Sequence, residues 1–262
     1  MSVTLRDCVY GQAVGDALGV PYEFMARGAF SCTGMTGHGA HGQPAGTWSD
    51  DTSMALAICD SYRELGRIDV GDIRARFLAW YREDAYTCDA LFDIGNATAT
   101  ALRLGHGLSG ERDNGNGSLM RTVPLAFTSA TDDEVRAVSA ITHAHPTSAE
   151  ACVRMVHVAH ELIAGEAPGD VAAACGVDAD KPRSEVRSGG YVLYTFDAAL
   201  WCLANTSSYA DCVLAAVNLG DDTDTTAAVV GALAGIVYGA DAIPGEWLAA
   251  LHGKDVIEAC LF

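Results

Sequence analysis

The stretch "GDDTDTTAAVVGALAGIVYG", residues 220–239, decides the fold class. Three aspartates and three threonines fill positions 221–226, and an uncharged run from Ala227 to Ala240 follows. Gly231, Gly235 and Gly239 recur every fourth residue, which on a helix removes the side chains from one stripe. Each glycine costs about 1 kcal/mol relative to alanine in a helix interior, so a stripe of them predicts a neighbouring backbone at close range. A second stripe of the same spacing, Gly11, Gly15 and Gly19, runs through "GQAVGDALG", residues 11–19. The run 227–240 is too short to span a bilayer, which takes ~20 apolar residues.

Helical spacing extends over most of the chain. Leu5, Val9, Ala13 and Ala17 recur every fourth residue, as do Ile73, Phe77 and Tyr81. The pattern predicts helices over 4–19, 50–65, 70–82, 94–105, 117–128, 132–144, 147–164, 190–204, 208–219, 223–239 and 245–252. Alternating Val/Ile/Thr/Tyr runs are nearly absent. The expected fold is all-α, and with no linker or low-complexity tract we expect one domain over residues 1–262. Residues 20–49 hold six glycines and little periodicity, long for a plain connection, which marks a functional loop.

Thirty-four acidic against sixteen basic residues give a formal charge of −18, which repels phosphate backbones and anionic membranes, so neither nucleic acid nor a membrane is expected as a partner. Nine cysteines without a C-x-x-C pair indicate neither a disulfide framework nor a zinc ribbon. With no signal-peptide pattern in the first residues, the expected location is the cytoplasm.

"DDTDTT" could be a helix cap, since side-chain oxygens satisfy free N–H groups at a helix start. One cap needs one or two such residues, however, and Asp221, Asp222 and Asp224 repel one another. A second acidic start, Ser49, Asp50, Asp51 and Thr52, opens the helix in "TWSDDTSMALAICDSY". Two such starts converging inside a helical bundle form an oxygen-only site for hard divalent cations, Mg²⁺ or Mn²⁺ rather than zinc. An EF-hand is excluded by Leu233, which stands twelfth counting from Asp222, where a glutamate is required.

Seven blocks in order, "GQAVGDALGVPYEF" (11–24), "GTWSDDTSMA" (46–55), "FDIGNATATAL" (92–102), "NGNGSLMRTVPLAF" (114–127), "THAHPTSAEA" (142–151), "SGGYVLYTFDAALW" (188–201) and "GDDTDTTAA" (220–228), resemble the ADP-ribosylglycohydrolases. The resemblance implies a compact all-α, single-domain, multi-helix bundle with a dimetal cleft, two Mg²⁺ or Mn²⁺ ions, an ADP-ribosylated protein as substrate and ADP-ribose as product. It implies metal ligands at Ser49, Asp50, Asp51, Asp222, Asp224 and Thr225, with Asp224 bridging; Ser49 stands where many relatives have threonine, and its hydroxyl serves equally. Glu23, Asp51 and Asp93 are the implied catalytic residues.

By the same resemblance Asn96, Asn116, Gly117, Ser118, Met120, Arg121, His145 and Tyr191 line the substrate. Residue chemistry leaves alternatives at several of these. Arg121 reads either as a phosphate ligand or as a buried arginine held by an aspartate. Tyr191 reads as an adenine-stacking ring or as core, Asp93 as a guanidinium acceptor or an N-cap near Ile94, and Glu23 as a mobile acid/base or a solvated loop residue. His143 with His145, and Cys32 with His38 and His41, raise zinc readings that lack a complete ligand set. The expected reaction is attack of water on an anomeric carbon, N-linked ADP-ribosylarginine being the favoured conjugate. Hydrolysis of O-linked conjugates, a metal-dependent phosphohydrolase and a non-catalytic ADP-ribose-binding relative are the alternatives.

Overall fold

Twelve α-helices follow one another along residues 3–262, the part of the chain described by the computed structural model: α1 (Leu5–Gly19), α2 (Asp50–Leu65), α3 (Val70–Glu83), α4 (Asn96–Leu104), α5 (Asp132–Ser139), α6 (Pro146–Ile163), α7 (Pro168–Ala174), α8 (Val192–Ala204), α9 (Tyr209–Val217), α10 (Thr223–Tyr238), α11 (Gly245–Ala250) and α12 (Lys254–Cys260). Strand pairing among the described residues is limited to the isolated bridges His38–Gln43, Leu108–His143 and Gly115–Tyr191, so the all-α expectation holds. One buried apolar cluster draws on residues from Leu5 to Cys260. Met1 and Ser2, the first residues of the expected 1–262 domain, lie outside the described residues.

The two glycine stripes meet. Antiparallel α1 and α10 pack backbone to backbone, so that a Cβ on Gly11 would lie 2.2 Å from Gly231 O, on Gly15 2.1 Å from Ala227 O, and on Gly235 2.1 Å from Asp7 O. These distances admit only hydrogen. At the far end a Cβ on Gly19 would lie 2.3 Å from Asp224 Cα, and Thr223 Oγ1 donates to Gly19 O at 2.8 Å, which fixes the first turn of α10 against the last turn of α1. Gly239 departs from the stripe: at φ 80° it ends α10.

Three expectations are corrected. Residues 117–128 form two 3-10 turns, Asn116–Arg121 and Val123–Phe127, because Pro124 removes a donor that an α-helix there would need. Helix α5 stops at Ser139 rather than 144, since residues 142–144 pair with Leu108 through Leu108 N–H to Thr142 O and Ala144 N–H to Leu108 O. Helices α7 and α12 have seven residues each, too few turns to show a period.

The glycine-rich segment 20–49 is folded tightly. A Cβ on Gly39 would meet Pro21 O at 1.9 Å and one on Gly37 would meet Ala45 N at 2.4 Å. Its two 3-10 turns, Val20–Tyr22 and Gly39–His41, thereby bring Glu23 and His41 together.

Candidate active site

Helix α1 positions the site from its polar residues. Asp16 is fully buried and accepts hydrogen bonds from Ser49 N–H at 2.9 Å, Thr52 N–H at 3.1 Å and Thr52 Oγ1–H at 2.6 Å. It therefore caps α2 from another helix, in addition to Ser49, whose Oγ accepts from Asp51 N–H at 3.4 Å and donates to Asp51 Oδ2 at 3.1 Å. Gln12, equally buried, donates to Asp51 O at 2.9 Å and Met120 O at 3.0 Å. Capping of α2 is complete without the carboxylates of Asp50 and Asp51. Asp222 occupies the N-cap position of α10 and makes no side-chain cap bond either.

Those carboxylates converge instead. Thr225 Oγ1 reaches Asp51 Oδ2 at 3.3 Å, joining the starts of α10 and α2. Asp51 Oδ1 and Asp222 Oδ1 are buried without a hydrogen-bond partner. Beside them, ligand atoms of Glu23, His41, Asp93 and Asp224 all lie within 4.8 Å of one another, and His41 Nε2 hydrogen-bonds Glu23 Oε2. Burial, and then the neighbouring negative charges, push the carboxyls upward: Asp50, Asp51 and Asp224 well above the ordinary range, Glu23 to about 8. For Asp222 and Asp93 burial is likewise the leading cause of an upward shift. Asp16 rises to about 7 through burial, against the pull of its donors.

Burial this dense without compensating cations is costly. The donor set is oxygen-rich, with two free carboxylate oxygens already inside it, and it fits hard divalent cations. Asp93 does not cap α4: that helix starts at Asn96 with Gly95 in the cap position, which corrects the N-cap alternative. Glu23 is buried against His41, so the solvated-loop alternative also fails. Cys32 donates its thiol to Gly34 O and stands outside the Glu23–His41–Asp93–Asp224 group, as does His38.

Segments 114–117, 188–192 and 220–222 form the neighbouring wall. Asn116 donates from Nδ2 to Asp222 Oδ2 and to Thr195 Oγ1, both at 2.9 Å, and so orients Asp222. Asn116 N–H bonds Gly190 O at 3.0 Å, Val192 N–H bonds Asn114 O at 3.0 Å, and Asp222 N–H bonds Ser188 O at 3.1 Å. Tyr191 is 38% exposed and lies edge-on to Tyr194, which overturns its core alternative.

The other expected substrate-lining residues differ in burial and in partners. Arg121 is fully buried, donates to Gly117 O at 2.6 Å and Thr142 Oγ1 at 2.9 Å, and lies over the Phe77 ring. It forms no ion pair and faces no cleft, so neither the phosphate reading nor the aspartate-held reading survives. Burial lowers its guanidinium to about 10. Met120 is core, and Ser118 is buried with its hydroxyl accepting from Ser139 Oγ at 3.0 Å. His145 caps α6, its Nδ1 accepting from Thr147 N–H at 3.1 Å. Asn96 is an exposed first residue of α4 and makes no side-chain hydrogen bond to the cluster.

The more buried histidine is His143. Its Nδ1 shares a hydrogen bond with Thr142 Oγ1 at 2.8 Å, and burial with the Arg121 charge pushes it down to about 3, which keeps the ring neutral. Gly117 is glycine for this ring, as a Cβ there would lie 2.9 Å from His143 Cε1. Sequence reasoning missed Asp16 and Gln12 as positioning residues, and His41 as the partner of Glu23. The available signal was two polar residues, Gln12 and Asp16, inside the otherwise small and apolar stretch 11–19.

A sequence profile of the ADP-ribosylglycohydrolase family matches residues 4–261. The ADP-ribosylarginine hydrolase Tri1 of Serratia proteamaculans is 35% identical over 93% of this chain and 74% of its own length. The ADP-ribosyl-[dinitrogen reductase] glycohydrolase of Rhodospirillum rubrum is 33% identical over 93% of this chain and 88% of its own. Among solved structures, an ADP-ribosylglycohydrolase-related protein complex superposes with a TM-score of 0.83 at 34% identity, covering 98% of this chain and 95% of that one. The chain belongs to the ADP-ribosylglycohydrolase family.

Proposed function

We propose that this family member, as one domain over residues 1–262, is a dimetal-dependent hydrolase that releases ADP-ribose from N-linked ADP-ribosylarginine on proteins. The observation that carries the reading is the convergence of Asp50, Asp51, Asp222 and Asp224 from two helix starts, with the Oδ1 atoms of Asp51 and Asp222 buried and unpartnered. Ser49, Asp50, Asp51, Asp222, Asp224 and Thr225 would hold two Mg²⁺ or Mn²⁺ ions. Such ions supply charge compensation, orientation of the ribose hydroxyls and polarisation of a water molecule.

The chain's own residues then account for the rest. Water adds through oxygen to the anomeric carbon as the C–N bond breaks, the electron pair leaving on the guanidine nitrogen. Glu23, at the edge of the carboxylate group, takes the proton that water sheds, and the proton ends on the departing guanidine. Asp93 holds the leaving guanidinium through paired charge-assisted hydrogen bonds. Tyr191 and the backbone of 115–117 bound the nucleotide side. Similarity to the arginine hydrolase Tri1 supports the arginine linkage.

The test is incubation of ADP-ribosylarginine protein with the enzyme, with EDTA and with Mg²⁺ or Mn²⁺ added back, and identification of the products. We expect free ADP-ribose, abolished by chelation and restored by either metal, with Asp224→Asn folded but inactive. AMP with ribose phosphate would instead establish a phosphohydrolase. Full activity after exhaustive chelation would remove the metal requirement.

A further inference from the structure

Among the described residues Phe24 is the most exposed large apolar side chain. It follows Glu23 directly, is 73% exposed, and holds φ 66°, a left-handed conformation that bulky residues avoid. The backbone is pinned there: Phe24 N–H donates to Asp221 O at 2.7 Å and Asp221 N–H to Met25 O at 2.9 Å, with Asp221 itself at φ 61°. Folding gains nothing from presenting a phenyl ring to water on a strained backbone. Strain of this kind, locked by hydrogen bonds beside a carboxylate cluster, points to a ligand.

The surroundings say which. Phe92 precedes Asp93 as Phe24 follows Glu23, and the two phenyl rings pack against the His41 ring at centroid distances of 6.0 Å for Phe24 and 5.3 Å for Phe92, tilted by 54° and 58°. Glu23, His41 and Asp93 are within 4.8 Å of one another. Each of these two carboxylates therefore has a phenyl ring on the adjoining residue, and both rings contact the same imidazole. Carboxylates beside exposed aromatic surface suit a planar, delocalised cation, which stacks through its face and donates through its edge. A neutral hydroxyl-linked conjugate offers neither.

We propose that Phe24, backed by His41 and Phe92, is the stacking wall of the leaving-group site, against which the guanidinium lies while Asp93 takes its N–H groups. This rests on the arginine linkage proposed above. The test compares wild type with Phe24→Leu, Phe24→Gly and Phe24→Tyr, using ADP-ribosylarginine for turnover and ADP-ribose, which lacks the leaving group, for calorimetric binding. Phe24→Gly removes the ring while adopting the positive φ without strain, so it separates the ring from the backbone. Leucine and glycine are expected to raise KM for ADP-ribosylarginine by about 5–30-fold. Over the same variants the Kd for ADP-ribose stays within about twofold, and Phe24→Tyr keeps KM close to wild type.

An unchanged KM in both the leucine and glycine variants overturns the proposal, as does ADP-ribose binding that weakens in parallel with KM. A wild-type protein that binds ADP-ribose and leaves ADP-ribosylarginine intact overturns the linkage reading itself, and the stacking wall falls with it.

Discussion

At the scale of the residue, Asp93 separates chemistry from capping. Gly95 holds the cap position of α4, and the Asp93 carboxylate lies with Glu23, His41 and Asp224. Its deletion removes a hydrogen-bond acceptor for a guanidinium and also one negative charge that raises Glu23, Asp50 and Asp224. Charge-assisted bonds are worth roughly 1.5–3 kcal/mol each, so Asp93→Ala is expected to lower kcat/KM on ADP-ribosylarginine at least about tenfold. Manganese stoichiometry, read by electron paramagnetic resonance, is expected to stay at the wild-type value. Loss of metal in step with activity would make Asp93 a ligand instead. The acidic clusters are visible in the sequence because their chemistry is local and repeated, whereas Glu23 stands out only through the family resemblance. Asp16 and His41 are not, since Asp16 acts on Ser49 and Thr52, more than thirty positions away, and His41 reaches Glu23 only through the fold of the glycine-rich loop.

At the scale of the element, the pair α1 and α10 is the axis on which the site is built. The glycine stripes were legible as a close approach because nothing else justifies glycine at i, i+4 and i+8 in an apolar helix. That each stripe is the other's partner was not legible, since spacing alone names no neighbour. Contact at the backbone sets where Asp224 stands relative to Asp16 and, through it, to α2. Short elements escaped for the opposite reason: α7 and α12 have too few turns to show a period, and segment 117–128 has helical spacing that Pro124 overrides. Gly15→Ala would place a methyl 2.1 Å from Ala227 O and 2.8 Å from Ala227 C, neither of which can move without parting the two helices. Overpacking of a core costs about 1–3 kcal/mol and more where backbone is struck. We expect Gly15→Ala to unfold at lower urea and to bind Mn²⁺ more weakly. Gly169→Ala, with open space around its Cβ, is the control, expected to match wild type in both measurements. A Gly15→Ala variant as stable as that control would show that the helices can separate freely.

At the scale of the whole molecule, thirty-four acidic residues against sixteen basic ones would be a plain solubility device if all were solvated, but five of them at this site, Asp16, Glu23, Asp50, Asp51 and Asp224, are buried. Glu23 rises from its ordinary 4.5 to about 8 and Asp16 from 3.8 to about 7, both led by burial. Groups raised on folding make the folded state hold more protons than the unfolded chain. Their stabilising contribution is complete below the unfolded values and is lost as pH climbs through the folded ones. The window is therefore about pH 4 to 8, and the sign is opposite to that of a protein whose carboxylates are ion-paired. In EDTA, the melting temperature is expected to be higher at pH 5 than at pH 8. Divalent cations favour the ionised carboxylates, so the increase in Tm on adding Mg²⁺ or Mn²⁺ should be larger at pH 8 than at pH 5, where protons compete for the same oxygens. Scanning calorimetry at both pH values, with chelator and with metal, measures all four numbers. A metal-free protein that gains stability from pH 5 to pH 8, or a metal increment that shrinks over that interval, would mean that the buried carboxylates are not the place where cations and protons compete.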